Sequence, residues 1–254
     1  MVSCGYRHAI PRSMHVAGAR GAWTRATDPG LPGDMRMALD TVTPDSVKRR
    51  LRLEYVKIKN EPPSRTLEGM IGLLSHFQKP RLLIPDLMQD TVAYIQKSFR
   101  LRWVMIGLRT PADDLYRYEY QIGMRDEAWQ RQRSRTYKRT EFDVCDRYKF
   151  GDISRLTRAY LEEDNPLFGT DEQVANRPAL LRIKRRADDE TLEADFIDTL
   201  ILGPNDMLLG WIEYSGLLMG KFPDAMVMRH IEVVASILGA ALTTQGYAKE
   251  HGRP

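Results

Sequence analysis

Cysteine is almost missing: the 254 residues contain only Cys4 and Cys145. That excludes a disulfide framework and a multi-cysteine zinc site, and a reducing, cytoplasmic setting is the expectation. Long apolar runs are missing too. Lys, Arg, Asp or Pro breaks every stretch before about 18 residues, the length that crosses a bilayer, so no transmembrane segment is expected. Charge of one sign is not dominant. Lys and Arg total 38 against 34 Asp and Glu, a formal net charge of +4, although the sequence pI is near 9.0. Such a balance permits contact with nucleic acid or anionic lipid without arguing for it. HExxH, G-x-S-x-G, P-loop and G-x-G-x-x-G patterns are absent, and the expectation is that the chain is not an enzyme. What is present is 43% hydrophobic and 28% charged residues, enough for one sizeable core or one core plus an appendage.

The first 34 residues carry four Arg and no acid before Asp28, punctuated by Gly and Pro. An organellar transit peptide, a disordered tail and an extension upstream of a start at Met35 or Met37 all share that character, and the three stay open. Residues 1–42 are expected to be a disordered tail, 43–81 a helical extension, 82–245 the principal domain and 246–254 a second tail.

From Thr43 the pattern is helical. Thr43 is the expected N-cap and Pro44 the first helical residue, and the basic face Lys48, Arg49, Arg50, Arg52, Lys57 and Lys59 reads first as a solvated surface. Ser64 is expected to cap a second helix bearing Leu67, Met70, Ile71, Leu74 and Phe77. A third runs from about Pro85 to Phe99 with Met88, Val92 and Ile95 in register. At Leu101 the period changes to alternation. Trp103 and Met105 fall on one side and Val104, Ile106 and Leu108 on the other, which suits a central strand covered on both faces. After the turn "TPADD", alternation places Tyr116, Tyr118, Tyr120 and Ile122 together on one face of a hairpin partner.

Residues 124–139 read as a helix or lid rich in base, and residues 140–190 are irregular, a length of loop that usually lines or covers a site. "DTLILGPNDMLLGWIEYSG" is a second hairpin with Phe196, Leu200, Leu202, Met207, Leu209 and Trp211 as its expected buried face. Gly210 in its second strand suggests close approach of a helix or ligand. A final helix from Asp224 to about Thr244 has Val227, Ile231, Val234, Leu238 and Leu242 at spacings of 4 and 3, and burying five such side chains contributes on the order of 10 kcal/mol gross.

The stretches "LLGWIEY", "GKFPDAM" and "IEVVASILGAAL" together resemble the penultimate strand and last helix of GAF domains, a family of small-molecule sensory modules. "LRWVMIGLRTPADDLYRYEYQIG" resembles the family's first hairpin, whereas "YKFGDISR" departs from its Gly-Arg-Ser-Tyr strand at Asp152 and Ile153. The resemblance spans about residues 82–245. It implies an α+β fold, with an antiparallel sheet of five or six strands, terminal helices on one face and pocket-forming loops on the other. It further implies a stand-alone sensory or regulatory domain that binds a small molecule and signals through terminal-helix packing, a homodimer or a partner protein.

The pocket so implied would be lined by Tyr116, Tyr118, Tyr120, Phe142, Cys145, Tyr148, Phe150, Arg155 and Trp211, with Arg131, Arg133 and Arg135 as an anion-binding cluster. The competing reading is that the aromatics are core and the arginines a solvated helix face. No cofactor is indicated. The cyclic-nucleotide signature of the family is absent, Cys145 is followed by Asp146 where pigment-binding members have His, and His8, His15, His76, His230 and His251 all lie outside the pocket region. "LEEDN" and "RADDE" read as solvated acidic turns rather than metal ligands. A different class of function, a nucleic-acid-associated regulator using helix 47–59 or the arginines of 131–139, is kept as the alternative but is not favoured.

Overall fold

A computed structural model of the chain describes residues 44–59, 62–143 and 148–248. Residues 1–42 and 249–254 of the expected tails, the Thr43 cap and Cys145 lie outside the described residues. Of residues 246–248, expected as tail, Tyr247 and Ala248 instead pack on the core, with Tyr247 O accepting from Arg109 Nη1 at 2.7 Å. The chain divides into two compact units, 1–48 and 49–254; of the first, only the opening turn of α1 is described.

Helix α1 spans Pro44–Lys59 and α2 spans Pro62–Ser75. Ser64 therefore lies inside the first turn of α2 and is not its cap, because the paired prolines at 62 and 63 supply the fixed φ that opens a helix. Helix α3 (Ile84–Phe99) starts with Pro85 in its first turn and stops where Arg100 turns left-handed (φ 54°). Strands β1 (Val104–Arg109) and β2 (Tyr116–Ile122) form the first hairpin. The cover follows: α4 (Asp126–Arg133), α5 (Thr140–Asp143), the short strands β3 (Gly151–Asp152) and β4 (Thr157–Tyr160), then irregular chain with two 3-10 turns. The second hairpin is β5 (Phe196–Leu202) and β6 (Leu208–Tyr214), and α6 (Ala225–Thr244) closes the described fold. Asp224 caps α6 by accepting a hydrogen bond from Val227 N at 2.9 Å, directly after Pro223.

The strands make one antiparallel sheet in the order β2-β1-β6-β5-β4-β3. On one face, α3 and α6 pack Met88, Val92, Ile95, Ile231, Val234, Leu238 and Leu242 onto Val104, Ile106, Ile201, Leu209 and Ile212, and Leu73 of α2 joins this core. Helix α6 is long and apolar enough by composition to match a bilayer, yet its stripe is buried against the sheet. On the other face, Trp103, Met105, Tyr116, Tyr118, Leu200, Leu208 and Trp211 form a second cluster with Trp129, Tyr137 and Phe142 from the cover.

Two bulges change which side chains share a face. The register slips between Ile106 and Gly107, opposite Glu119. Tyr116 and Tyr118 thus face the cover, while Tyr120 and Ile122 turn to the helix side; simple alternation put all four together. A second slip between Ile201 and Leu202 turns Met207 and Leu209 to the helix side and leaves Leu208 with Trp211 under the cover. An extra residue reverses the parity of everything beyond it. Gly210 is explained by the neighbouring strand rather than by a ligand or helix: a Cβ there would lie 2.2 Å from Gly107 O of β1.

Candidate functional site

Between the sheet and its irregular cover lies a cavity of about 110 Å³. Its floor comes from five strands: Trp103 and Met105 of β1 and its approach, Tyr118 of β2, Trp211 and Glu213 of β6, Phe196 and Asp198 of β5, and Tyr160 of β4. Gln132 of α4, Arg135, Tyr137, Phe142, Tyr148, Phe150, Asn165 and Glu193 form the walls. Gly107 makes room for the floor, since a Cβ there would lie 2.3 Å from the Trp211 ring. Around Trp211 the ring centroids of Phe142, Tyr118 and Tyr137 lie at 4.8, 5.1 and 5.8 Å, and Tyr160 stacks on Phe196 at 4.4 Å. Offset and edge-on pairs of this kind hold a stiff aromatic surface.

Two acids stand in that surface. Asp198 and Glu213 are directly opposed across β5 and β6, each 4% exposed. Burial raises the Asp198 carboxyl well above its ordinary range, and the facing Glu213 raises it further; the Arg158 charge and a hydrogen bond from Tyr160 oppose this only in part. Burial likewise raises Glu213, to about 7, against the lowering pull of hydrogen bonds from Tyr118 and Trp211 and of the Arg135 charge. Tyr118 donates its hydroxyl to Glu213 Oε2, and burial beside that acid pushes the phenol well above its usual value. Two like charges in one buried site cannot both ionise freely, so the pair retains a proton through most of the acid and neutral range.

The cover is pinned by three other buried carboxylates. Asp195 accepts from Glu162 N (2.8 Å), Leu192 N (2.6 Å) and both terminal nitrogens of Arg185 (2.9 and 3.0 Å). Glu162 accepts from Ala194 N (2.9 Å) and Arg182 N, and Glu193 accepts from Arg177 N (2.7 Å) and the Arg177 and Arg102 guanidinium groups. Glu162 of "LEEDN" is therefore an internal anchor rather than a solvated turn residue, because the backbone N–H groups of Ala194 and Arg182 donate to it and offset its burial.

Of the residues singled out from sequence, Tyr118, Phe142, Tyr148, Phe150, Arg135 and Trp211 come together around the cavity. The rest do not. Tyr116 is core, its hydroxyl on Leu208 O at 2.9 Å. Tyr120 is on the opposite face. Arg155 has a 73% exposed side chain and pairs with Asp206. Arg131 and Arg133 are exposed on α4, while Arg135 turns inward to Asp171 at 2.5 Å, so the arginine cluster does not converge and the nucleic-acid alternative gains no support. Cys145 lies outside the described residues. Sequence reasoning missed Asp198, Glu213, Gln132, Tyr137 and Tyr160. The available signal was an acid inside each of two apolar strands, "FIDTLIL" and "LLGWIEY", since an acid is almost never fully buried without a purpose or partner. Among the described residues no three His, Cys, Asp or Glu side chains gather around a metal position.

The six-stranded antiparallel sheet, the terminal helices on one face and the cavity beneath irregular connections on the other are what the sequence resemblance implied. The fold is GAF-like. No family model and no curated protein matches the chain. Among solved structures it is similar to the GAF domain of an Acinetobacter phosphoenolpyruvate-protein phosphotransferase, at 6% identity and TM-score 0.46 over 73% of this chain and 97% of that one. A GAF domain of A. aeolicus gives 11% identity and TM-score 0.46 over 73% and 99%. A GAF domain/HD domain protein of Geobacter sulfurreducens gives 8% and 0.45 over 63% and 92%.

Proposed function

We propose that the GAF-like unit is a sensory or regulatory domain whose cavity holds a small molecule and whose helix face carries the response. The observation that supports this reading most is the cavity itself, which keeps about 110 Å³ open in an otherwise closely packed aromatic layer. Natural cores do not leave such space idle, and a concave, mostly aromatic surface with a few aimed polar groups is how small molecules are held.

The path to an output runs through the sheet. Alternate residues of β5 and β6 face the cavity and the α3–α6 core. A ligand that shifts Asp198 or Trp211 therefore presses on Ile201 and Ile212 beneath α6. Leu67, Ile71 and Leu74 form an exposed apolar stripe on α2, a surface suited to a second copy or a partner protein. A thermal-shift screen of purified protein against small amines, acids, alcohols, nucleotides, haem and flavin tests the reading. At least one compound is expected to raise the melting temperature in a concentration-dependent way; no stabilisation by any, with the cavity closed in an experimental structure, would refute it.

A further inference from the structure

Two residues that line the cavity each carry a buried acceptor oxygen with nothing donating to it. Asp198 Oδ1 and Gln132 Oε1 have no hydrogen-bond partner, although Asp198 is 4% and Gln132 9% exposed and both residues line the cavity. A buried acceptor without a donor is costly, and folded proteins rarely leave one unless something else completes it. The nearby donors are engaged: Tyr160 on Asp198 away from Oδ1, Tyr118 and Trp211 on Glu213, Arg135 on Asp171 and Tyr137, Arg158 on the Phe142 carbonyl at 2.6 Å. A molecule that enters the cavity can supply the missing donors.

Charge points the same way. The lining holds four acidic residues and one base. Glu193 is neutralised by Arg102 and Arg177, and Arg135 is neutralised by Asp171. What remains is Glu141, which accepts from Lys138 N at 2.7 Å, and the Asp198–Glu213 pair, without a cation in contact with Asp198 Oδ1 and flanked by aromatic rings whose electron-rich faces attract positive charge.

We propose that the cavity binds a small organic cation of the alkylammonium type, its N–H groups on Asp198 Oδ1 and Gln132 Oε1 and its carbon chain against Phe142 and Trp211. This rests on the reading of the cavity as a ligand site and narrows the chemistry of what it takes. The ammonium replaces the proton that the carboxyl pair otherwise retains, so the charge becomes paired without leaving the buried acids in mutual repulsion.

Three probes of nearly equal size and different charge separate the possibilities: propylammonium, 1-propanol and propionate. Each is titrated into the purified chain at about pH 7.5, above the value of about 7 to which burial raises Glu213, with the indole N–H signals of Trp103 and Trp211 followed by ¹H–¹⁵N NMR. Propylammonium is expected to shift both signals and to bind at least about tenfold more tightly than 1-propanol, the factor of one charge-assisted hydrogen bond, with propionate weakest. Asp198→Asn is expected to abolish that preference. Gln132→Leu, which keeps the size and leaves the acids intact, is expected to weaken propylammonium several-fold. If 1-propanol or propionate binds as tightly as propylammonium at the same indole signals, the cationic class is overturned and the cavity remains a ligand site. If those signals do not respond to any of the three, the inference is overturned, and the sensor reading is then decided by the broader thermal-shift screen.

Discussion

Replacing Glu213 with Gln is expected to flatten the pH dependence of stability between about pH 4.5 and 7. In the folded chain burial lifts this carboxyl from an ordinary 4.5 to about 7. Between those two values the native protein holds a proton that the unfolded chain has already released. Stability therefore falls as pH rises, by about 1.4 kcal/mol per pH unit for one proton. The contribution is fully present below about pH 4.5 and is lost by about pH 7, a total of about 3 kcal/mol. Glu213→Gln keeps the shape and an oxygen that can accept from Tyr118, and removes the titration. The assay is denaturant unfolding of both proteins from about pH 4.5 to 8, read as the difference between them, which cancels the titration of acids remote from the pair. The variant should gain on the native chain by about 3 kcal/mol across the window and hold a constant advantage above it. Asp198 faces Glu213 and is raised as well, so Asp198→Asn and the double variant should be non-additive. A pH-independent difference, or one that grows in favour of the native chain as pH rises, would refute the electrostatic account of the cavity floor.

The cover makes its own predictions. Asp195→Ala strips the acceptor from two backbone N–H groups and from Arg185, and should cost about 3–5 kcal/mol in chemical denaturation; Glu163→Ala, at the exposed end of the same Arg185, should cost less than about 1 kcal/mol. Leu238→Ala opens a void where α6 meets the sheet and should cost about 2–5 kcal/mol, seen as a lowered Tm. Ile71→Asp on the exposed face of α2 should leave Tm nearly unchanged; if that stripe joins two copies, light scattering will show the mass of the variant halved.

The helix side of this fold was legible because its signals are local. The stripe Ile231, Val234, Leu238 and Leu242, the Pro223–Asp224 start of α6 and the alternation of Val104, Ile106 and Leu108 all state their period within one element. The cavity side was less legible because its composition depends on register. A single extra residue at Glu119 moved Tyr120 away, and another near Leu209 exchanged Leu208 for its neighbour; β2 carries no mark of its slip, and β6 only Gly210 beside it. The acid pair was hidden for a related reason. Asp198 and Glu213 are fifteen positions apart in the chain and become one feature only when β5 and β6 pair them directly. The cover hid its logic in the same way, since Glu162, Glu193 and Asp195 look like ordinary loop acids until the backbone donors they satisfy are brought to them.

The most direct test of the central claim is a high-resolution crystal structure of the protein grown with propylammonium. The account predicts the amine inside the cavity, its nitrogen within about 2.7–3.2 Å of Asp198 Oδ1, with Phe142 and Trp211 against its carbon chain. An amine bound elsewhere, and a cavity filled by Phe142, Tyr148 or Gln132 closing onto Asp198, would contradict it.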